Sequence, residues 1–155
     1  MGYDKKTDTV WICPNGTKGK VIEVQNLRIG LPKQPAKSKM LNYGLPKKEQ
    51  YFRREELNKL CTRDNAAEWE DYIIEEFRRR REGIWFLNNG EATYMTGSHY
   101  MYCQWSKIDV GYPEYRDANR RLFLFWEACK VDYRCYGICY LKNRRSGFSY
   151  CSASE

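Results

Sequence analysis

An apolar run of seven residues leads directly into a cationic turn near the C-terminal end of the chain. The run is Cys135-Tyr136-Gly137-Ile138-Cys139-Tyr140-Leu141, and the turn is Lys142-Asn143-Arg144-Arg145-Ser146-Gly147-Phe148-Ser149. A short apolar run with aromatic and β-branched residues predicts a buried strand, here over 135–141. A strand followed by a cationic, glycine-containing turn and a helix is the layout of a loop that binds nucleotide phosphates through backbone N–H groups. This order predicts the beginning of a parallel α/β nucleotide-binding domain.

The composition is typical of one globular domain. The chain has 155 residues, of which 42% are hydrophobic and 30% are charged, and this length allows a core of its own. No apolar run approaches the roughly 20 residues that span a bilayer, and no signal-peptide pattern is found, so we expect a cytosolic protein without a membrane partner. The net charge of +7 favours an anionic partner such as nucleic acid or a nucleotide. A basic protein without such a partner would have the same charge.

The seven cysteines have no C-x-x-C spacing, and His99 is the single histidine. Zinc sites usually combine cysteines with histidines, so we interpret the cysteines as reduced core residues. A structural disulfide or a metal site is the less favoured alternative. His99 is interpreted as a turn or packing residue, because the sequence around it supplies no nucleophile to activate.

The first two thirds of the chain divide into two predicted regions. Residues 1–50 are rich in lysine and proline, contain one strand-like segment at 20–24, and are interpreted as a basic, extended N-terminal arm. Residues 51–130 are interpreted as a helical, lid-like subdomain. Its first helix is predicted from Asp64 to about Arg81, with Gly83 after its end and a buried stripe of Trp69, Ile73 and Phe77. The four arginines 78–81 are interpreted as a solvated helix end, with DNA contact as the alternative.

Two further elements complete the predicted subdomain. Asn89-Gly90 lies between two strand-like runs and predicts a β-hairpin over 84–95. A second helix is predicted after Gly111, with Pro113 as its first residue. The face of this helix that should pack against a sheet or another helix comprises Tyr115, Ala118, Leu122, Phe125, Trp126 and Cys129.

The turn at 142–149 departs from a conventional phosphate-binding loop, G-x-x-x-x-G-K-[ST]. Gly147 matches the second glycine and Ser149 matches the hydroxyl residue that would face Mg²⁺. Phe148 occupies the lysine position, and the first glycine is missing. Lys142 could reach back over the phosphates, and Arg144 and Arg145 are suited to bidentate phosphate contacts. Taken alone, the pattern is equally compatible with a basic β-turn.

The segment 142–149 resembles the deviant Walker A motif of the phage terminase large subunit, in which the lysine moves to the start of the motif. Upstream motifs extend the resemblance to the N-terminal region of terminases from crAss-like and related tailed phages, over roughly residues 50–155. These motifs are Arg78-Arg-Arg-Arg-Glu-Gly83-Ile-Trp85-Phe86, Tyr94-Met-Thr-Gly97-Ser-His99-Tyr100, Asp109-Val-Gly111-Tyr-Pro-Glu-Tyr115-Arg116-Asp117 and Arg121-Leu-Phe-Leu-Phe-Trp126.

The resemblance implies an ATP-hydrolysing motor that packages double-stranded viral DNA into a procapsid. The implied fold is a helical subdomain with a hairpin that leads, over 131–155, into the first strand and phosphate-binding loop of a P-loop NTPase sheet of the RecA/ASCE type. The implied cofactors are ATP and Mg²⁺. The implied partners are double-stranded DNA, the portal protein, the small terminase subunit and further copies in a ring. The implied location is the host bacterial cytoplasm, transiently at the portal vertex.

The resemblance also implies roles for individual residues. Lys142 with Arg144 or Arg145 would bind the β- and γ-phosphates, and one of these arginines would stabilise the transferred phosphoryl group, which makes it catalytic. Backbone N–H groups from Ser146 to Ser149 would surround the anion, with Asn143 in the same loop, and Ser149 would ligate Mg²⁺. Tyr115-Arg116 matches the adenine-binding motif of the family. Since Tyr115 also lies on the predicted packing face, a core role for it stays open.

The chain ends six residues after Ser149, so an acidic Walker B strand and the expected nuclease domain would have to lie downstream. We therefore expect the 155 residues alone to be inactive as an ATPase. Two other classes remain open: a non-enzymatic phage module that binds DNA or a partner protein, and a structural virion protein.

Overall fold

A computed structural model describes residues 1–42, 62–109, 111–142 and 147–153. In these residues the chain is a mixed α/β structure with small sheets and helices. The strands are β1 (Gly2–Asp4), β2 (Thr9–Trp11), β3 (Lys18–Val24), β4 (Leu27–Pro32), β5 (Leu41–Asn42), β6 (Ile84–Asn88) and β7 (Glu91–Met95). The α-helices are α1 (Glu70–Glu82), α2 (Gly97–Gln104), α3 (Asp117–Val131) and α4 (Phe148–Ala153), and 3₁₀ turns cover Lys37–Lys39 and Arg63–Trp69.

The N-terminal region forms a four-stranded sheet with the order β1-β2-β4-β3, in which β2 and β4 are parallel and the other pairs antiparallel. The predicted extended arm is therefore wrong for residues 2–32, and only the strand-like segment 20–24 is confirmed, inside β3. The sheet is stabilised by burial of Val10, Ile29 and Leu31 against α3. Strands of three residues, such as β1 and β2, are too short to show a sequence period.

The predicted hairpin is confirmed. Strands β6 and β7 pair antiparallel from Ile84 opposite Met95 to Asn88 opposite Glu91. Asn89 and Gly90 have φ values of 50° and 82°, as required by a two-residue turn whose twist matches the flanking strands. Strand β5 pairs with β6 in parallel and completes the second sheet.

Helix α1 ends where the sequence predicts, since Gly83 has φ 74° and its N–H bonds to the Arg79 carbonyl. Its predicted apolar stripe is wrong, because Phe77 is 63% exposed whereas Glu76 is only 4% exposed. The Glu76 carboxylate accepts hydrogen bonds from Tyr100 Oη and Trp105 Nε1, both at 2.7 Å. Helix α1 therefore packs against α2 and the residue after it through a buried polar cluster.

Helix α2 was not predicted from the sequence. It begins at Gly97 after Thr96, whose side chain accepts a hydrogen bond from the His99 N–H. Helix α3 begins at Asp117, so the prediction of Pro113 as its first residue is wrong. Arg116 is still extended, with φ −139° and ψ 137°, which leaves Pro113 in the preceding loop.

Helix α3 lies against the N-terminal sheet, as expected of a helix with an apolar face. The centre of its buried face is shifted from the prediction: Leu122, Phe123, Leu124 and Ala128 are buried, and Ala118 is exposed. Over the described ranges, no helix combines the length and the apolarity that crossing a bilayer would need.

Candidate functional site

The segment that follows α3 contains most of the predicted site. Asp132 lies directly after α3, and its carboxylate accepts hydrogen bonds from the Arg134 guanidinium at 2.8 and 3.0 Å. These bonds hold the pKa of Asp132 below its usual value. They fix the direction in which the chain leaves the helix.

The predicted strand over 135–141 is wrong. Residues 135–142 belong to no helix or strand, and within the described ranges no strand pairs with them. Tyr136 is 100% exposed and Leu141 is 93% exposed, so the run is not buried either. An apolar, β-branched composition favours a strand only where a neighbouring strand can receive its hydrogen bonds.

Three aromatic rings hold the two ends of the cationic turn together. Tyr140 stacks on Phe148 with ring centroids 4.3 Å apart and planes 8° from parallel. Phe148 also stacks on Trp126 of α3 at 5.8 Å and 10°. The stacking therefore brings together the described residues on either side of 143–146 and attaches them to α3. We call the sequence segment 141–147, predicted to bind phosphate, the candidate loop. We call the three residues Tyr140, Phe148 and Trp126 the aromatic clamp.

Phe148 occupies the position at which a conventional phosphate-binding loop has lysine. Its ring packs against Tyr140 and Trp126, so this residue has a packing role and carries no charge that could bind phosphate. Lys142 lies at the opposite end of the loop and is exposed. Gly147 has φ 76°, a conformation that favours glycine, and α4 begins at the next residue.

The predicted phosphate contacts fall only partly within the described residues. Lys142, Gly147, Phe148 and Ser149 are described, and Lys142 and Ser149 are exposed, so a phosphate group and a hydrated Mg²⁺ would have access to them. The predicted contacts of Asn143, Arg144, Arg145 and Ser146 lie outside the described residues and remain predictions from the sequence. In the described part of the chain, no three His, Cys, Asp or Glu side chains are grouped to hold a metal ion.

Helix α4 is attached to the rest of the structure by its own side chains. Cys151 is 1% exposed and belongs to an apolar cluster with Tyr102, Cys103 and Phe123. Burial raises the pKa of the Cys151 thiol, so this thiol stays protonated at neutral pH. The Tyr150 hydroxyl donates a hydrogen bond to the Asp109 carboxylate. The loop therefore lies between two anchored elements, α3 before it and α4 after it.

The structure places Tyr115 in the core. Its ring stacks on His99 at 5.4 Å and meets Phe86 edge-on at 5.0 Å. Its hydroxyl donates to Asp117 Oδ1 at 2.6 Å, and burial, followed by this bond, raises its pKa. Because one ring face is covered by His99, the packing role is the one that the structure supports.

Arg116 differs from Tyr115 in being exposed, although it is the next residue. Its positive charge acts on the Cys151 thiol and the Tyr102 hydroxyl and opposes the rise that burial causes in their pKa values. Of the two residues predicted to contact adenine, Arg116 is therefore the exposed one.

Two features of the site were not predicted from the sequence. The clamp residues Tyr140 and Trp126 were assigned to a strand and to a helix face, and their stacking on Phe148 depends on the path of the chain. His99 was predicted to be a turn or packing residue, and its 0% exposure inside α2 supports the packing role rather than the turn. Its position between Tyr115 and Phe123 was not predicted. An aromatic residue on each side of a cationic turn is the sequence signal that could have indicated the clamp.

Comparison with known proteins yields no relative. No protein-family model, no curated protein and no solved structure matches the chain at a significant level.

Proposed function

We propose that this chain is the N-terminal part of a terminase large subunit, the ATP-driven motor that moves double-stranded viral DNA into a procapsid. The observation that carries the proposal is the stacking of Tyr140 on Phe148. This contact brings together the described ends, Lys142 and Gly147, of the segment whose sequence contains Arg144 and Arg145. A cationic segment that leads into a helix is one arrangement by which proteins bind nucleotide phosphates.

The sequence motifs supply the direction of the proposal, and the exposure of Lys142 and Ser149 leaves both side chains accessible to a nucleotide. Lys142 and one or both arginines would donate hydrogen bonds to the β- and γ-phosphates of ATP. The exposed Ser149 hydroxyl, in the first turn of α4, would ligate Mg²⁺, whose charge would stabilise the phosphates. Arg116, which is exposed, would contact the base or the ribose. The finer fold that belongs to this proposal is a P-loop NTPase of the RecA/ASCE type.

The proposed partners follow from the same resemblance. The complete motor would act on double-stranded DNA and assemble as a ring on the portal protein, with the small terminase subunit as a further partner. Its location would be the host bacterial cytoplasm and, during packaging, the portal vertex of the procapsid.

The test is nucleotide binding by the chain as it stands, measured by calorimetry with ATP and Mg²⁺. We expect Lys142→Gln to weaken ATP binding about tenfold, the effect of one charge-assisted phosphate contact. The matched control is Lys5→Gln, which removes the same charge from the turn between β1 and β2 and should leave binding unchanged. Equal affinities for the wild-type chain and both variants, or no binding of ATP by any of them, would contradict the proposal.

A further inference from the structure

The positive charge of this protein is concentrated in its N-terminal sheet. Residues 1–42 contain eight Lys and Arg against three Asp and Glu, whereas residues 62–109 contain six against nine. The first segment therefore has a net charge of +5 and the second a net charge of −3. Such an asymmetry attracts a polyanion to one side of the molecule.

Four of these lysines are exposed along one side of the sheet. Lys18 and Lys20 lie on β3, which is an edge strand, and Lys33 and Lys39 lie in the segment that follows β4. Lys18 pairs in register with Pro32, and the Lys33 N–H bonds to the Thr17 carbonyl, so the two groups are neighbours across the ladder. We call Lys18, Lys20, Lys33 and Lys39 the lysine strip.

Two ammonium groups of the lysine strip are held in place by tryptophans. Lys18 Nζ lies 4.7 Å from the centre of the Trp11 ring, and Lys20 Nζ lies 5.6 Å from that of Trp85. Cation–π contacts of this kind restrict long side chains that would otherwise be mobile. A ligand that binds the two ammonium groups therefore loses less side-chain entropy than it would with free lysines.

The strip continues into a cleft of about 290 Å³ between the sheet and the C-terminal half of α1. Its lining includes Lys33, Lys39, Arg78, Glu75, Glu82 and Trp85. The two carboxylates are already paired: Arg78 Nε lies 2.7 Å from Glu75, and its Nη1 lies 3.3 Å from Glu82.

The lysines of the cleft have no such partners nearby. Within residues 1–42, 62–109, 111–142 and 147–153, no carboxylate forms an ion pair with Lys33 or Lys39. The cleft therefore presents uncompensated positive charge to a ligand, in line with the lysines of β3.

We propose that the lysine strip and the adjoining cleft bind the phosphate backbone of double-stranded DNA. Four exposed ammonium groups, two of them held by tryptophans, can contact the regularly spaced phosphates of a duplex. Displacement of condensed counterions supplies free energy of binding. The choice of DNA among polyanions rests on the proposed function, since DNA is what the motor would move. The surface itself is separate from the nucleotide loop and can be tested without ATP.

Lysines on an edge strand also have a purely structural use, because they discourage pairing with strands of other molecules. That use requires charge on β3 alone. It accounts neither for Lys33 and Lys39, which lie outside the strand, nor for the stacking of Lys18 and Lys20 on tryptophans.

The test measures DNA binding by fluorescence anisotropy with a labelled duplex of about 20 base pairs, between about 50 and 200 mM salt and without nucleotide. The variants are K18Q/K20Q, K33Q/K39Q and the combination of all four substitutions. The matched control is K5Q/K6Q, which removes the same charge from the turn between β1 and β2. That turn joins β1 and β2, which lie on the other side of β4 from β3 in the sheet order.

Each lysine that contacts a phosphate contributes about 0.9 to the slope of log K against log salt concentration. We therefore expect each double variant of the strip to reduce this slope by about 2 and the combined variant by about 4, with the K5Q/K6Q slope unchanged. Unfolding midpoints equal to that of the wild-type chain would show that the exposed substitutions leave the fold intact.

Three results would overturn the inference. The first is that the wild-type chain shows no salt-dependent DNA binding, and the second is that K5Q/K6Q reduces the salt slope as much as the strip variants do. The third is that polyglutamate displaces the labelled duplex as effectively, per unit charge, as unlabelled duplex does. The last result would point to an acidic protein partner. If the chain fails to bind ATP but its DNA binding keeps the expected salt dependence, the proposed motor is contradicted and the inference about the lysine strip is not. The protein would then be a non-enzymatic DNA-binding module.

Discussion

Tyr140 and Phe148 stack face to face, with ring centroids 4.3 Å apart, and the sequence between them contains the cationic residues of the candidate site. Bringing two chain segments together costs conformational entropy, and here the stacked rings offset that cost before any ligand binds. The second contact of Phe148, with Trp126 at 5.8 Å, attaches the loop to a helix whose other residues pack in the core. The phenylalanine in the lysine position thus has a positioning role.

This role predicts that the two rings contribute to ATP affinity as a pair. Tyr140→Leu and Phe148→Leu should each weaken ATP binding by roughly three- to tenfold, the range that an aromatic pair contributes beyond its buried area. The double variant should bind only slightly less well than the weaker single variant, since each substitution removes the same contact. Calorimetric titration of the four proteins with ATP and Mg²⁺ gives the coupling directly.

Tyr136→Leu is the matched control for this cycle, because Tyr136 lies in the same segment and is 100% exposed. It should leave ATP affinity unchanged. Strictly additive effects of the two clamp substitutions would show that the rings do not act through each other.

His99 predicts a specific loss of stability in mild acid. Its ring is 0% exposed, lies between Phe123 at 4.8 Å and Tyr115 at 5.4 Å, and neither nitrogen has a hydrogen-bond partner among the described residues. Burial, with a smaller contribution from the charge of Arg120, lowers its pKa from 6.5 to about 3. The folded protein therefore keeps this imidazole neutral well below neutral pH.

The unfolded chain binds the proton near pH 6.5 and the folded chain only near pH 3. Between these values the unfolded state binds more protons, so the free energy of unfolding should fall as the pH falls below 6.5, by up to about 1.4 kcal/mol per pH unit. Urea titrations at pH 7, 6 and 5 measure this slope. His99 is the single histidine, so His99→Phe should abolish the slope over this interval. A slope that persists in the variant would assign it to another group.

Gly97 predicts a steric limit on the contact between α1 and α2. A Cβ at this position would lie 1.9 Å from the backbone oxygen of Arg80, which cannot move without disturbing α1. We expect Gly97→Ala to lower the free energy of unfolding by about 2 kcal/mol or more, as overpacking does in other cores. The measurement is chemical denaturation monitored by circular dichroism.

Gly137→Ala is the control for this substitution, since a Cβ at Gly137 meets nothing within 4 Å. Its effect should stay within about 0.5 kcal/mol, the range of ordinary surface substitutions. If Gly97→Ala and Gly137→Ala have the same free energy of unfolding, helices α1 and α2 can move apart to accept the added methyl group without loss of stability.

Local signals in the sequence predicted several elements correctly. Asn89-Gly90 specified the hairpin because its turn needs two residues with positive φ, and Gly83 specified the end of α1 for a related reason. The apolar spacing of α3 predicted a helix that packs against a sheet or another helix. Ala128 is buried against the N-terminal sheet and Leu122 in the cluster with α2 and α4, which agrees with this prediction. These features depend on residues close in the sequence, so a single segment contains the information that determines them.

The failures have a common physical origin in long-range contacts. The polar face of α1 is buried because Tyr100 and Trp105, more than twenty positions away, donate hydrogen bonds to Glu76. The strands β1 and β2 exist because β4 and α3 cover their apolar side chains, which no local period reveals. The segment 135–141 has strand composition but lies outside the sheets, since composition cannot provide a partner for its hydrogen bonds.

The sequence by itself determined the cationic turn at 142–149, the glycine before α4 and the excess of positive charge in the first 42 residues. These are properties of residue type and order. Only the tertiary structure decided that Phe148 closes the loop against Tyr140 and Trp126, that Tyr115 packs in the core beside His99, and that Lys18, Lys20, Lys33 and Lys39 lie along one side of a sheet. The reason is that each of these arrangements joins segments distant in the chain, and their free energy comes from contacts that form only when those segments pack together.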